Sequence, residues 1–360
     1  NQGLTRPAAT VTEAVHRLGA VQAQDYGQAL WAIGSRVADA TVADVEAAVE
    51  SGEVLRTWPM RGTIHFVTAS DARWLIELLA PRILDQAAPR FAELGLSDAD
   101  LELVRKVATD ALAGGRRLER SEMLGLFTEA GVDVQAGRGY RMLWYLAHIG
   151  TICIGPMSGR QQTFVLLDEW APEARALRRH HVDHAGDGNR RAGLAELARR
   201  YFIGHGPATV HDLARWAGIT VTDARAGLTE ALPQLAQRQH DGHDHYWAAE
   251  RTGIGPDRGA EHGGLHLLAG FDEFVLGYKD RDAVVEPENQ AKLAPGRNGV
   301  FKPVVVKDGR IVGTWARRLK ARTVEVGYEL FPGYKVDADE LGPALDRYSR
   351  FVERPVTLRP

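Results

Sequence analysis

Two glutamines, Gln22 and Gln24, stand two positions apart directly after an amphipathic segment near the start of the chain. On an α-helix, residues at this spacing point about 200° apart and cannot share a ligand. In an extended segment they point to the same side. The two amides therefore converge only if the helix ends near Gly19, and glycine is a residue type that commonly ends helices.

A converging pair of amides can hold one water molecule. A glutamine carbonyl oxygen accepts a hydrogen bond from water but cannot take its proton at neutral pH. Such a pair can place a water for attack on a bond whose leaving group is already activated, without the cost of a buried carboxylate. Asp25 is an alternative base, ranked second because in an extended strand it faces away from Gln24. By local spacing alone, two polar residues at a helix end are the more common explanation.

A second group of candidates, Arg56, Arg61 and His65, lies on a predicted hairpin that follows the glutamines in the chain. Hairpins of this kind commonly touch the phosphate backbone of nucleic acids. We predict nucleic-acid contact for the two arginines and support of the glutamine site for His65. Charge on an exposed hairpin explains the arginines equally well, and a lone histidine is more often structural.

The net charge of −3 does not by itself indicate a nucleic-acid-binding protein. Between residues 297 and 322, however, there are eight basic residues and one acid. A ribbon with this charge can enter a DNA groove, although charge also protects edge hairpins from aggregation. We favour DNA contact because the basic excess is larger than edge protection requires. The candidate contacts are Lys302, Lys307, Arg310, Arg317 and Arg318.

The segment from Phe271 to Arg281 mixes acids and bases. Asp272 and Glu273 are candidates for acid–base work, but adjacent side chains usually face apart. We therefore favour an ion-pair network with Lys279 or Arg281, and keep Glu273 as a candidate for supporting the site. Lys279 and Arg281 are further candidates for DNA contact.

Two groups of histidines have spacings that metal ligands also show. No cysteine accompanies them, and exposed loop histidines explain both groups better. The chain also contains no P-loop, no Gly-x-Gly-x-x-Gly between a strand and a helix, and no Gly-x-Ser-x-Gly motif. We therefore expect neither a metal nor a cofactor. The histidines in question are His180, His181 and His184, and His240, His243 and His245.

The glutamines must be positioned by an N-terminal unit of helices and a hairpin. Thr10-x-x-Glu13 is a capping-box pattern that begins the first helix, and a second helix is predicted at 41–51. Two short strands follow at 54–58 and 63–67. This order, helix, helix and two-stranded wing, is that of a winged-helix unit.

The same order recurs twice, and the pattern then changes to strands. Helices at 121–127 and 138–149 precede strands at 150–154 and 162–167, and helices at 209–219 and 222–232 precede the tract 237–247. Beyond residue 263, short strands and one helix at 338–352 suggest a small β-barrel or a curved sheet. The predicted class is α+β, with tandem winged-helix (helix-turn-helix) modules around a C-terminal β-barrel. The expected units are 1–90, 91–171, 190–262 and 263–360, with a linker at 172–190.

Length and composition set further expectations. With 360 residues, the chain is expected to form two to four compact units. Cys153 is the only cysteine, which excludes an intrachain disulfide and is typical of a reducing compartment. No apolar run approaches the roughly 18 residues of a membrane span. We expect a bacterial cytoplasmic protein without membrane contact, and a monomer by default.

Three landmarks occur in order: Gly19–Asp25, Arg56–His65 and Leu268–Arg281. Together they resemble the AlkZ/YcaQ group of winged-helix DNA glycosylases, over residues 1–360. In that group a Gln-x-Gln or Gln-x-Asp pair is the proposed catalytic element, and this chain has glutamine at both positions. It therefore resembles the AlkZ-like branch, which is linked to self-resistance against DNA-alkylating natural products.

The resemblance implies hydrolysis of the N-glycosidic bond at bulky or cationic N7-alkylpurines in double-stranded DNA, including unhooking of interstrand crosslinks. It assigns Gln22 and Gln24 to the attacking water. An N7-alkylated guanine carries a positive charge, so its glycosidic bond is already weakened, which suits an amide pair. We expect an open cleft, because a crosslinked base cannot swing free. The alternative is a non-catalytic winged-helix DNA-binding protein, such as a regulator or a drug-resistance binder.

Overall fold

The computed structural model describes residues 2–172, 187–249, 264–296 and 299–359. Most of the predicted linker at 172–190, together with His180, His181 and His184, lies outside the described residues. In the part of the chain that is described, no helix is both long and apolar enough to cross a membrane.

Residues 2–172 alternate helices with short strands. The helices are α1 (Val11–Leu18), α2 (Tyr26–Gly34), α3 (Val42–Glu50), α4 (Ala69–Glu93), α5 (Asp98–Leu112), α6 (Arg120–Glu129), α7 (Arg138–His148) and α8 (Leu167–Trp170). The strands are β1 (Val21–Gln22), β2 (Val54–Met60), β3 (Thr63–Thr68), β4 (Leu118–Glu119), β5 (Ile152–Ser158) and β6 (Gln161–Leu166).

The later part of the chain begins with helices and ends mainly in strands. Its helices are α9 (Asp187–His205), α10 (Val210–Ala217), α11 (Val221–Ala231), α12 (Glu273–Leu276), α13 (Pro287–Leu293) and α14 (Ala338–Val352). Its strands are β7 (Leu235–His240), β8 (His243–Ala248), β9 (Leu265–Leu268), β10 (Val304–Lys307), β11 (Arg310–Leu319), β12 (Val324–Leu330) and β13 (Val356–Leu358). The mixed α+β class is confirmed.

The first two predicted hairpins belong to one six-stranded sheet, in the order β1-β3-β2-β5-β6-β4. Strand β2 pairs with β5 through Arg56 and Ile154. The turn between β2 and β3 is packed on both sides: Trp144 of α7 donates its Nε1–H to the Gly62 carbonyl at 3.3 Å, and a Cβ on Gly218 would lie 3.1 Å from Arg61 Cγ. This hairpin is therefore an internal element and not an exposed wing.

The C-terminal sheet has five strands in the order β13-β12-β11-β10-β9. Since no described strand joins β13 to β9, it is an open half-barrel. Of the two predicted forms, the structure has the curved sheet and not the closed barrel. Helices α2 and α14 cover its apolar face, with the Trp31 ring 4.9 Å from Tyr348 and 5.0 Å from Phe351. The sheet therefore buries its apolar side chains without closing on itself. Trp31 Nε1 also donates to the Leu267 carbonyl at 2.7 Å.

Candidate active site

The backbone brings Gln22 and Gln24 together in the geometry that we predicted. Helix α1 ends at Leu18, Gly19 has φ 75°, and the chain then becomes extended. Gln22 pairs with His65 across β1 and β3. Both glutamines consequently point to one side, and Gln22 Nε2 donates to Gln24 Oε1 at 2.8 Å. Gln22 is 9% exposed and Gln24 is exposed, so solvent reaches the pair from the Gln24 side.

Arg61 and His65 lie against Gln22. Arg61 Nη2 donates to Gln22 Oε1 at 3.3 Å and lies 3.1 Å from His65 Nε2, and its Nη1 donates to the Trp216 carbonyl. His65 Nδ1 lies 2.9 Å from the Thr63 carbonyl. A carbonyl only accepts, so Nδ1 carries the proton and the Nε2 lone pair faces Arg61. Burial and the Arg61 charge hold the pKa of His65 well below its usual value. His65 is therefore a neutral hydrogen-bond acceptor for Arg61.

Two buried histidines predict how stability depends on pH. Burial lowers the pKa of His65 and lowers that of His148 to about 4, so below pH 6.5 the unfolded chain binds more protons than the folded one. We expect the free energy of unfolding to fall between pH 6.5 and 4, by up to about 1.4 kcal/mol per pH unit for each histidine. Urea unfolding at several pH values measures this slope, and His148→Gln should reduce it. A free energy of unfolding that did not change with pH in this range would contradict the assignment of both histidines as buried and neutral.

Glu273 joins the same cluster from the other end of the chain. Its side chain is fully buried, and its Oε2 accepts from Trp216 Nε1 at 2.9 Å and lies 3.4 Å from His205 Nε2. Within the described residues its Oε1 has no hydrogen-bond partner. Because Arg61 binds the Trp216 backbone, Glu273 is linked to Gln22 by three contacts, through Trp216 and Arg61. Sequence reasoning did not find Trp216 or His205, since nothing in one sequence relates them to the glutamines.

Asp25 has a structural contact. Its carboxylate accepts from the backbone N–H of Gln28 at 3.1 Å and so caps α2. The cap holds the first turn of α2 directly after the glutamine pair. This contact favours a positioning function for Asp25 over the predicted supporting base.

Asp272 does not form the ion pair that we predicted. Its two carboxylate oxygens accept from Arg36 at 2.7 and 2.9 Å, and both side chains are at most 1% exposed. Lys279 is exposed, and Arg281 Nε donates to the Val275 carbonyl at 2.7 Å. The predicted network with Lys279 or Arg281 is therefore wrong, because the Asp272 carboxylate faces the interior where Arg36 lies.

Arg56 is fully buried, on the face of the sheet opposite to Gln22, since it pairs with Phe66 and not with His65. Its guanidinium lies 4.4 Å from the centre of the Tyr26 ring, and its Nη2 is 3.1 Å from Met157 Sδ. Burial lowers the pKa of this guanidinium to about 10. A side chain in this position cannot reach a phosphate without unfolding, which argues against the predicted DNA contact.

The basic residues of the C-terminal sheet fall into two groups. Lys307 and Arg310, at the β10–β11 turn, form ion pairs with Glu340 at 2.6 Å and Glu286 at 2.7 Å. By contrast, no acid in the described part of the chain lies within ion-pair distance of three exposed side chains, Lys279, Lys302 and Arg318. The first group is neutralised within the protein, and the second is available to a polyanion.

Arg317 connects the basic sheet to the glutamine segment. Its Nη1 donates to the Tyr348 hydroxyl at 2.6 Å. A Cβ built on Gly27 would lie 2.8 Å from Arg317 Nη2 and 3.9 Å from an Asp25 carboxylate oxygen. Because Gly27 has no Cβ, there is space for the Arg317 guanidinium at the start of α2, beside the amide pair.

In the residues that the structure describes, no group of three histidine, cysteine or acidic side chains is arranged to hold a metal ion. His240, His243 and His245 lie on the β7–β8 hairpin, and only the His240 and His245 rings come close, at 6.0 Å. The side chains at the candidate site are the two amides, the Arg61 guanidinium and the His65 imidazole, with the Glu273 carboxylate behind Trp216.

Known proteins resemble this chain in sequence and in fold. A family model described as DNA glycosylase AlkZ-like matches residues 15–351. A relative from Streptomyces sahachiroi, named interstrand DNA cross-link repair glycosylase, is 27% identical over 336 residues, which cover 86% of this chain and 82% of the relative. The solved Streptomyces sahachiroi DNA glycosylase AlkZ has the same fold, with a TM-score of 0.76 and 24% identity over 99% of this chain and 96% of that one. The chain therefore belongs to the AlkZ-like family of DNA glycosylases.

Proposed function

We propose that this DNA glycosylase hydrolyses the N-glycosidic bond of cationic N7-alkylpurines in double-stranded DNA, with Gln22 and Gln24 placing the attacking water. The observation that carries the proposal is the direct contact of the two amides, 2.8 Å apart in an extended segment with Gln24 exposed. A polar pair that merely ended a helix would not need this convergence.

The chemistry fits a leaving group that is already charged. Water attacks C1′ of the nucleotide, the bond from C1′ to N9 breaks, and the base departs as neutral N7-alkylguanine with the bonding electron pair. The water loses its proton to solvent after attack, so no strong base is required. Amide oxygens stabilise the oxocarbenium character of the sugar and orient the water. Hydrolysis without a covalent enzyme intermediate makes the enzyme monofunctional.

We propose three winged-helix modules at 1–90, 91–171 and 190–262, arranged around the sheet of residues 263–360. The α10, α11 and β7–β8 order supports the third module. DNA lies along the exposed basic side chains Lys279, Lys302 and Arg318, with Arg317 beside the amide pair. The exposure of Gln24 supports action on crosslinks, because an open site accepts a base that is still tied to the opposite strand. The name of the Streptomyces sahachiroi relative, interstrand DNA cross-link repair glycosylase, also supports it.

Base release from a duplex that carries one N7-alkylguanine tests the proposal. Release by the wild type should exceed the spontaneous rate for bulky lesions, while an undamaged duplex of the same sequence releases nothing. A duplex with an N7–N7 interstrand crosslink should yield separable strands. Tight binding with no release above the spontaneous rate, for small and bulky lesions alike, would establish the non-catalytic DNA-binding alternative.

The salt dependence of binding tests the DNA surface. Each phosphate contact contributes about 0.9 to the slope of log K against log salt concentration for duplex DNA. We expect Lys302→Met and Arg318→Met each to reduce the slope by roughly that amount, as measured by fluorescence anisotropy. Arg105→Met, on the exposed face of α5, is the control, and the buried Arg56→Met should also leave the slope unchanged. Equal slopes in all four variants would place the DNA elsewhere.

A further inference from the structure

The guanidinium of Arg61 determines which way round the Gln22 amide sits. A guanidinium carries only donors, so the atom of Gln22 that faces Arg61 Nη2 at 3.3 Å must be the carbonyl oxygen. The Gln22 Nε2 group is then directed to Gln24, where it donates to Oε1 at 2.8 Å. The two hydrogen bonds run in one direction, from the cation through Gln22 to Gln24.

Arg61 is itself held in place by several contacts. It occupies the tight turn between β2 and β3 with φ 53°, followed by Gly62 with φ 66°. Its Nη1 donates to the Trp216 carbonyl, and the His65 Nε2 lone pair faces its Nη2 at 3.1 Å. Because the Thr63 carbonyl holds the proton of His65 on Nδ1, His65 cannot present a competing donor. These contacts therefore keep the guanidinium from rotating away from Gln22.

The electrostatics of the cluster favour the same arrangement. The negative charge of Glu273 acts on Arg61, opposing the effect of burial on its pKa, and Glu273 is bound to the side chain of Trp216, whose carbonyl accepts from Arg61. A chain of hydrogen bonds with a cation at its start polarises each amide along it. Polarised in this way, Gln22 becomes a better donor to Gln24.

We infer that Arg61 is a positioning residue that locks the Gln22 amide and leaves Gln24 as the amide that meets the DNA. This inference rests on the proposed function for its kinetic consequence, and it replaces the phosphate contact that the sequence suggested for Arg61. Gln24 Oε1 keeps one lone pair for the attacking water, while its exposed Nε2 group is free to bind the substrate. Arg61 touches neither the water nor the lesion.

A double-mutant cycle separates positioning from DNA binding. Arg61→Met should lower kcat for base release by about 10- to 100-fold, the loss expected for one hydrogen bond from a charged donor, with the Kd for duplex DNA unchanged. In a Gln22→Ala background the same substitution should have no further effect, because its target is gone. Guanidinium ions at millimolar concentration should restore part of the activity of Arg61→Ala. Additive losses, or a weaker Kd with a reduced salt slope, would show a phosphate contact and overturn the inference.

A second measurement does not depend on activity. With glutamine side chains labelled with ¹⁵N, the Gln22 amide resonances are those missing from the Gln22→Ala spectrum. They should move in Arg61→Met and stay in place in Arg105→Met. Arg61→Lys, which keeps the charge but loses the planar fork, provides a variant if Arg61→Met does not fold. If the wild type releases no base but the Gln22 resonances shift in Arg61→Met, only the proposed function is wrong. If the Gln22 resonances do not shift in Arg61→Met, the positioning role of Arg61 is wrong.

Discussion

Base release from N7-alkylguanine DNA should fall about 10²- to 10³-fold in the Gln22→Ala/Gln24→Ala variant. This is the loss expected when groups that orient the reactants and stabilise developing charge are removed. The affinity for the same duplex should stay at the wild-type value, since the basic side chains are untouched. Single-turnover release, measured with enzyme in excess and alongside a binding titration, separates the two quantities.

The chain contains its own matched control for this experiment. Gln237 and Gln239 stand at the same spacing on strand β7, and both are exposed. Their double alanine variant removes an amide pair of equal chemistry and should release base at the wild-type rate. If the β7 variant lost as much activity as the β1 variant, or if the β1 variant kept full activity, the assignment of the site to Gln22 and Gln24 would be wrong.

Asp272→Ala should destabilise the fold by about 3–5 kcal/mol, the cost of leaving one member of a buried pair without its partner. Arg36 would keep its charge in a position that is 1% exposed, with both carboxylate bonds lost. Its remaining contacts are to neutral groups, among them the Gln2 carbonyls. Urea unfolding, monitored by tryptophan fluorescence, gives the free energy directly.

The apolar replacement Arg36→Met/Asp272→Leu should recover much of that loss, because it removes both charges together. An exposed ion pair provides the comparison: Asp110→Ala, which frees Lys106 on the surface of α5, should change stability little. An Asp272→Ala variant as stable as the wild type would mean that water reaches Arg36 and that the pair is not sealed.

Local patterns predicted most of the elements around the site. The helix predicted at 338–352 is confirmed at α14. The end of α1 at Gly19 and the convergence of the glutamines followed from the period of an extended chain. These features depend on neighbours within a few residues, which is why they can be predicted from a single sequence.

The errors concern charged residues whose partners are distant in the chain. Arg36 and Asp272 are 236 positions apart, so no local spacing in the sequence indicates that they form a pair. The sequence predicts a surface position for Arg56 and Arg61 because hairpins of winged-helix units commonly touch the phosphate backbone. What buries the Arg61 turn is Trp144 and Trp216, which belong to other elements. Burial of the hairpin depends on how whole units pack together. The alternation of residues along β2 and β3 therefore does not indicate this burial.

The shortness of β1 restricts how this segment can evolve. Its two residues pair with β3 in a single register, between the glycine that ends α1 and the aspartate that caps α2. A one-residue insertion or deletion between Gln22 and Gln24 would turn Gln24 to the opposite face, and one between Gly19 and Gln22 would turn both glutamines away from Arg61. Lineages with this site should therefore keep the length of the segment between Gly19 and Asp25 fixed, so that natural variation there consists of substitutions outside the two glutamines and not of insertions or deletions.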